Sequence, residues 1–147
     1  MKNQDIIDQL PYSEPFLFVE ELMTVSEDRV EGFYTFKEDE YFYKGHFKEN
    51  PVTPGVILTE CMAQIGLVCL GIKILDAENF SEKPGIALSS SEMDFYIPVF
   101  PGEKVKVVSE KIYFRFNKLK CKVKMLNSEG KIVAKGTISG MIGRIGT

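Results

Sequence analysis

Histidine occurs once in the 147 residues and cysteine three times, and each scarcity excludes a class of protein. Three cysteines are too few, and odd in number, for a disulfide scaffold. Cys61 and Cys69 fall eight apart in one apolar run, a spacing unsuited to a bridge within one helix. One histidine with three scattered cysteines cannot supply a tetrahedral zinc site, so no metal is expected. Free thiols point to a reducing, cytoplasmic compartment. Long polar tracts are missing, as is any excess of glycine or proline, and 44% hydrophobic with 27% charged residues describes an ordinary soluble globule. Met1 to Leu10 carries acids and no apolar stretch, unlike a secretory signal. With no internal repeat or linker, residues 1–147 read as a single domain large enough for a real core.

Charge is divided unevenly along the chain. Residues 1–100 carry seven Lys/Arg against eighteen Asp/Glu, a net −11, while residues 101–147 carry eleven against three, a net +8. Two readings stay open: a basic surface for an acidic macromolecular partner, or lysines that simply occupy the wet face of strands. No nucleic-acid motif accompanies the lysines, so no nucleic-acid partner is expected.

Periodicity supplies the elements. Asp5 to Leu10 predicts a short helix ending before Pro11; Phe16 to Val25 predicts a strand, paired with Arg29 to Phe36 across a Ser26-Glu27-Asp28 turn. Tyr41 to Pro54, punctuated by Gly and Pro, reads as loop. Gly55 to about Lys73 predicts the one long helix, begun after Pro54 and apolar nearly all round, hence enclosed on most sides. Glu60 and Gln64 within it, and the absence of flanking aromatic belts, favour a buried core helix over a membrane span. Gly66 and Gly71 allow neighbouring backbone to approach it closely. After a loop containing Ser81 and Pro84 come four strands: Ile86 to Val99, Lys104 to Phe116, Leu119 to Leu126 and Lys131 to Ile142. The third alternates Leu119, Cys121, Val123 and Met125 with Lys118, Lys120, Lys122 and Lys124, one face buried and one wet. Asn127 to Gly130 makes a hairpin turn into the last strand, whose Ile132, Ala134, Gly136 and Ile138 are small enough to lie against a thick helix. The sum is α+β: a curved antiparallel sheet wrapped around one central helix, with open edges that favour pairing into a dimer.

Chemistry concentrates between residues 45 and 64. His46, in a turn-rich loop, has an ordinary pKa of about 6.5, suited to general acid–base work. Glu60 is the carboxylate of a helix otherwise built for burial, so it must be protonated, partnered or lining a cavity, and burial raises its pKa. Gln64, one turn on, can hold it in place. Gly55, at the helix N-terminus, presents an unpaired N–H and no side chain, fit to stabilise an enolate oxygen or simply to start the helix after Pro54.

The order Gly45-His46-Phe47, then Pro51-Val52-Thr53-Pro54-Gly55-Val56, then Glu60 fourteen residues after His46, resembles the hot-dog-fold (3R)-3-hydroxyacyl-acyl-carrier-protein dehydratases of the FabZ type. Leu10-Pro11, Pro15-Phe16-Leu17, Val19-Glu20, Met62-Ala63-Gln64 and Pro98-Val99 with Pro101-Gly102-Glu103 extend the likeness over most of the chain. The resemblance implies that His46, held by the Val52 carbonyl, removes the α-proton. It implies that Glu60 of the neighbouring subunit protonates or orients the departing 3-hydroxyl, that the Gly55 amide binds the thioester carbonyl, and that Gln64 positions Glu60. It also implies no metal or organic cofactor, a substrate carried on the phosphopantetheine of an acyl-carrier protein, and a homodimer or trimer of dimers that touches neither membrane nor nucleic acid. Departures from the pattern are Tyr12-Ser13 in place of His-Arg, Lys48-Glu49-Asn50 after His-Phe, and Asp94-Phe95-Tyr96-Ile97 in place of a basic stretch. Carrier proteins of that family's pathway are acidic, so the usual docking charge is lacking there, and Lys104, Lys106, Arg115, Lys118 and Lys120 are the candidate replacements. Tyr41, Phe42, Tyr43, Phe95 and Tyr96 could shape an acyl tunnel or fill the core, and a specialised polyene or polyketide pathway is one expectation. Within the same fold the alternatives are an acyl thioesterase and a non-catalytic, carrier-binding partner subunit.

Overall fold

In the computed structural model, which describes residues 1–78 and 84–144, a six-stranded antiparallel sheet curves around one long helix. The elements are α1 (Asn3–Asp8), β1 (Glu21–Val25), β2 (Arg29–Thr35), α2 (Gly55–Ala77), β3 (Pro84–Phe95), β4 (Lys104–Arg115), β5 (Lys118–Leu126) and β6 (Ile132–Arg144). Strand order across the sheet is β1-β2-β4-β5-β6-β3, so the strand that follows the helix lies at the far edge. Ser81, expected in the connecting loop, lies outside the described residues, and Pro84 opens β3 instead of preceding it.

Turn chemistry fixes the hairpins. Ser26 Oγ accepts the N–H groups of Asp28 (3.2 Å) and Arg29 (3.1 Å) between β1 and β2. Asn127 Oδ1 does the same for Glu129 and Lys131 (3.0 Å each) between β5 and β6, where Gly130 takes φ +79°. β5 keeps the expected alternation: Leu119, Cys121, Val123 and Met125 are buried, and Lys122 and Lys124 are exposed.

α2 runs one turn beyond Lys73, to Ala77. It is long and apolar enough to cross a membrane, yet 78% of its most apolar stretch is buried within the protein. The enclosure expected of it fails at one place, for Val56 is 76% exposed. Between Gln64 and Cys69 the helix widens to π geometry. There Ser109 Oγ of β4 donates to the Gly66 carbonyl (2.8 Å), and a Cβ on Gly66 would fall 3.0 Å from both Ser109 Cβ and Val123 Cγ1. Gly66 thus lets the helix rest directly on β4 and β5.

Two strands depart from expectation for visible reasons. β1 begins at Glu21, not Phe16, because the backbone of Phe16 and Phe18 bonds to the Gln64 side chain and not to a neighbouring strand. In β6, Met125 pairs with Ala134 but Leu126 pairs with Ile132, so Val133 is an extra, fully buried residue and Ile132 turns outward, 39% exposed. The β1 edge is capped by Asn3 Nδ2, which donates to the Leu22 and Met23 carbonyls. Among the described residues β3 pairs only with β6, and its Leu88 to Glu92 stretch faces solvent.

Candidate active site

His46 follows a 3-10 turn (Tyr41–Lys44) that anchors the loop through its own side chains: Phe42 packs on the core, and Tyr43 shares a buried 2.6 Å hydrogen bond with Thr53 Oγ1. Burial holds the Tyr43 phenol up to about 12, so it remains a neutral strut. The loop closes on itself. Val52 N–H donates to the His46 carbonyl (2.9 Å), His46 Nδ1 lies 3.0 Å from the Val52 carbonyl, and Thr53 N–H bonds the Val99 carbonyl (2.8 Å). A carbonyl only accepts, so Nδ1 is the donor here, and in the neutral ring Nε2 is the accepting nitrogen. The half-buried ring stacks on the exposed Phe47 at 4.1 Å. The Val52 partnership expected for His46 is therefore present.

Glu60 sits in the second turn of α2, half-buried, with Ile57, Leu58, Cys61 and Met62 all buried around it. Burial raises its carboxyl above the ordinary range, opposed by the hydrogen bond that Gln64 Nε2 donates to Oε2 (2.9 Å). Gln64 is fully buried and does more than the sequence suggested. Its Nε2 also donates to the Phe16 carbonyl (3.0 Å), and its Oε1 accepts the Phe18 N–H (2.8 Å). One amide thus fixes the Glu60 carboxyl and ties the 16–18 segment to the helix. Tyr12, named from sequence only as a departure, has its phenol pushed up to about 12 by burial and, to a lesser degree, by the nearby Glu60.

Gly55 opens α2 after Pro54; Ile57 and Leu58 N–H donate to the Pro54 carbonyl (2.9 and 3.1 Å), which leaves the Gly55 and Val56 N–H groups with no intrahelical acceptor. Its missing side chain has a second purpose that sequence did not reveal. A Cβ there would meet the Phe95 ring at 3.3 to 3.6 Å, so Phe95, at the end of β3, lies over the helix start. The signal was the two adjacent aromatics before Pro98, whose target only the fold could supply. Of the other aromatics, Phe42 and Tyr43 belong to the core while Tyr41, Phe95 and Tyr96 are exposed. Within one chain the structure brings His46 to Val52 and Glu60 to Gln64, and no hydrogen bond joins the two pairs. Among the described residues no group of three His, Cys, Asp or Glu side chains is arranged to hold a metal ion.

An imidazole, a carboxyl raised by burial and a helix N-terminus are groups able to move a proton beside a carbonyl. A family model described as a FabA-like domain matches residues 10–140. The 3-hydroxyacyl-[acyl-carrier-protein] dehydratase FabZ of Clostridium perfringens is 31% identical over 147 residues, 97% of this chain and 99% of that protein. The chain belongs to this family. A second FabZ dehydratase, from Wolinella succinogenes, is 32% identical over 148 residues, covering 95% of this chain and 93% of its own. Among solved structures, the dehydratase heterocomplex ApeI:P from Xenorhabdus doucetiae superposes with a TM-score of 0.79 at 14% identity, over 95% of this chain and 91% of that one. A hypothetical thioesterase with coenzyme A from Streptococcus pneumoniae gives 0.65 at 14% identity, over 84% and 86%. The FabZ-type relatives identify the hot-dog fold of the sheet and helix described above, and the two structural neighbours share that fold.

Proposed function

We propose that this protein dehydrates a (3R)-3-hydroxyacyl thioester, borne on the phosphopantetheine of an acyl-carrier protein, to the trans-2-enoyl thioester, in fatty-acid or related polyene or polyketide synthesis in the cytoplasm. Residues 1–147 act as one hot-dog domain, paired as a homodimer. The observation that carries the reading is the Glu60 carboxyl, raised by burial and held by Gln64 on an otherwise apolar helix, in a FabZ-family chain whose single histidine is bound through Nδ1 to the Val52 carbonyl. His46 Nε2 takes the proton from C2, and the electron pair moves toward the thioester carbonyl, whose oxygen is met by the Gly55 N–H at the positive end of α2. The C3–O bond then breaks as Glu60 of the partner subunit gives its proton to the leaving oxygen, releasing water and leaving the C2–C3 double bond. The imidazolium and carboxylate return to their starting states by proton exchange through solvent. Neither metal nor organic cofactor takes part.

The open β3 edge offers a second copy of the chain a place to pair, and Val56 and Leu88 are exposed apolar residues available to such a contact. The test is enoyl formation by purified protein with a 3-hydroxyacyl-carrier-protein substrate. His46→Ala and Glu60→Gln should each lower kcat by about a thousandfold while the protein stays folded and dimeric. Near wild-type turnover by either variant would refute the assignment, and thiol release without enoyl absorbance would point to thioester hydrolysis.

A further inference from the structure

β5 presents Lys118, Lys120, Lys122 and Lys124 on the sheet's outer face at every second residue. On β6, Lys135 stands directly opposite Lys124, and Thr137 opposite Lys122. Lys106, Lys111 and Lys131 each reach a carboxylate. Among the described residues Lys122, Lys124 and Lys135 have no such partner within 4.0 Å, and two ammonium groups opposed across adjacent strands repel one another. These three lysines and Thr137 line an open groove of about 330 Å³ whose floor includes the buried Val108 and Val123.

The groove lies at the end of the sheet where α2 begins. Lys135 pairs with Asp94, the residue before Phe95, and the Phe95 ring covers Gly55. Asp94 is also where the resemblance places the start of a basic stretch that this chain lacks, so positive charge missing from β3 reappears one and two strands away.

We infer that Lys122, Lys124 and Lys135 form the surface on which an acidic helix of the acyl-carrier protein docks, an inference that rests on the dehydratase reading above. Lysines two apart on a strand are about 6.8 Å apart along it. Carboxylates one turn apart on a helix are separated by about 6 Å, a close match. The Asp94 carboxylate lines the groove and opposes a continuous phosphate backbone, which favours discrete acidic side chains over nucleic acid, while Glu110 is engaged by Arg29. Lys104 and Arg115 hold their charged ends closer over a ring, 4.7 Å from Phe33 and 4.4 Å from Tyr113, than Lys135 does over Tyr96 at 5.9 Å.

The test compares wild type, the double variant K124E/K135E, and K118E at the other end of β5. Each is assayed with the 3-hydroxyacyl group on carrier protein and with the same group on pantetheine alone. At low salt the double variant should raise KM for the carrier-borne substrate by about tenfold or more, with kcat and pantetheine-thioester turnover within about twofold of wild type. K118E should change KM less than about twofold on either substrate. An unchanged carrier KM, or equal losses on both substrates, overturns the inference. Calorimetric titration with carrier protein keeps the two readings separate. If wild type turns over neither substrate, the dehydratase reading fails, and loss of carrier binding in K124E/K135E alone still supports the surface. No binding by wild type, binding that the double variant retains, or binding of double-stranded DNA in preference to the carrier overturns it.

Discussion

Replacing Gln64 with leucine probes the residue on which fold and chemistry converge. The change keeps the volume roughly constant and removes three hydrogen bonds, to Phe18 N–H (2.8 Å), the Phe16 carbonyl (3.0 Å) and Glu60 Oε2 (2.9 Å). The Phe18 residue is fully buried, so its stranded N–H costs about 1–3 kcal/mol, and the partly buried Phe16 carbonyl adds roughly 1 kcal/mol. Burial of the leucine returns about 1 kcal/mol. The net is a destabilisation of about 1–3 kcal/mol. Urea unfolding at fixed protein concentration measures it, and the thermal midpoint should fall by about 3–10 °C for a chain of this length. Glu60 also loses its positioning donor, so kcat should drop by about tenfold to a hundredfold beyond any loss of folded protein. A destabilisation under about 0.5 kcal/mol would refute the reasoning. It would mean that the 16–18 segment is held by ring packing, such as Phe16 on Phe18 at 5.0 Å and Phe18 on Tyr34 at 5.5 Å.

Other perturbations test separate parts. Because burial raises the Glu60 carboxyl, the folded protein holds a proton that the unfolded chain has released, and stability should fall as pH rises from the ordinary value of 4.5 through the raised one. Denaturation midpoints of wild type relative to Glu60→Gln should therefore worsen across that window, and a difference independent of pH would contradict the raised pKa. Gly66→Ala pushes a Cβ to 3.0 Å from Ser109 and Val123, and should cost about 1–3 kcal/mol in chemical denaturation. Val56→Glu puts a charge on the exposed apolar start of α2. Light scattering should show mass shifting from two chains toward one, whereas an unchanged mass would remove Val56 from the interface.

The strands and helix were legible because their signals are local. The lysine alternation of β5 fixed its faces, and Pro54 followed by an apolar run announced α2. What sequence hid was non-local. Phe16 to Val25 has strand composition throughout, but its first half gives its backbone bonds to a glutamine 46 residues away, so no local pattern could place the start of β1 at Glu21. The π widening at Gln64–Cys69 arises where the Gly66 carbonyl meets Ser109, a residue from another element. Ile132 faces outward because one extra residue, Val133, enters the β5–β6 ladder. At the site, Glu60 with Gln64 was readable from helical spacing, whereas the His46 and Val52 pairing was expected only through the family resemblance. Phe95 over Gly55 joins the end of β3 to the start of α2, and only the fold brings them together.

The decisive measurement mixes two inactive proteins. His46→Ala and Glu60→Gln homodimers are combined, allowed to exchange subunits, and assayed for enoyl product. If each site takes its imidazole from one chain and its carboxyl from the other, every mixed dimer contains one intact site, and a random 1:1 mixture recovers about one quarter of wild-type activity. Activity no higher than that of the separate variants, with exchange verified by mass, would mean that the two groups do not meet across a subunit boundary.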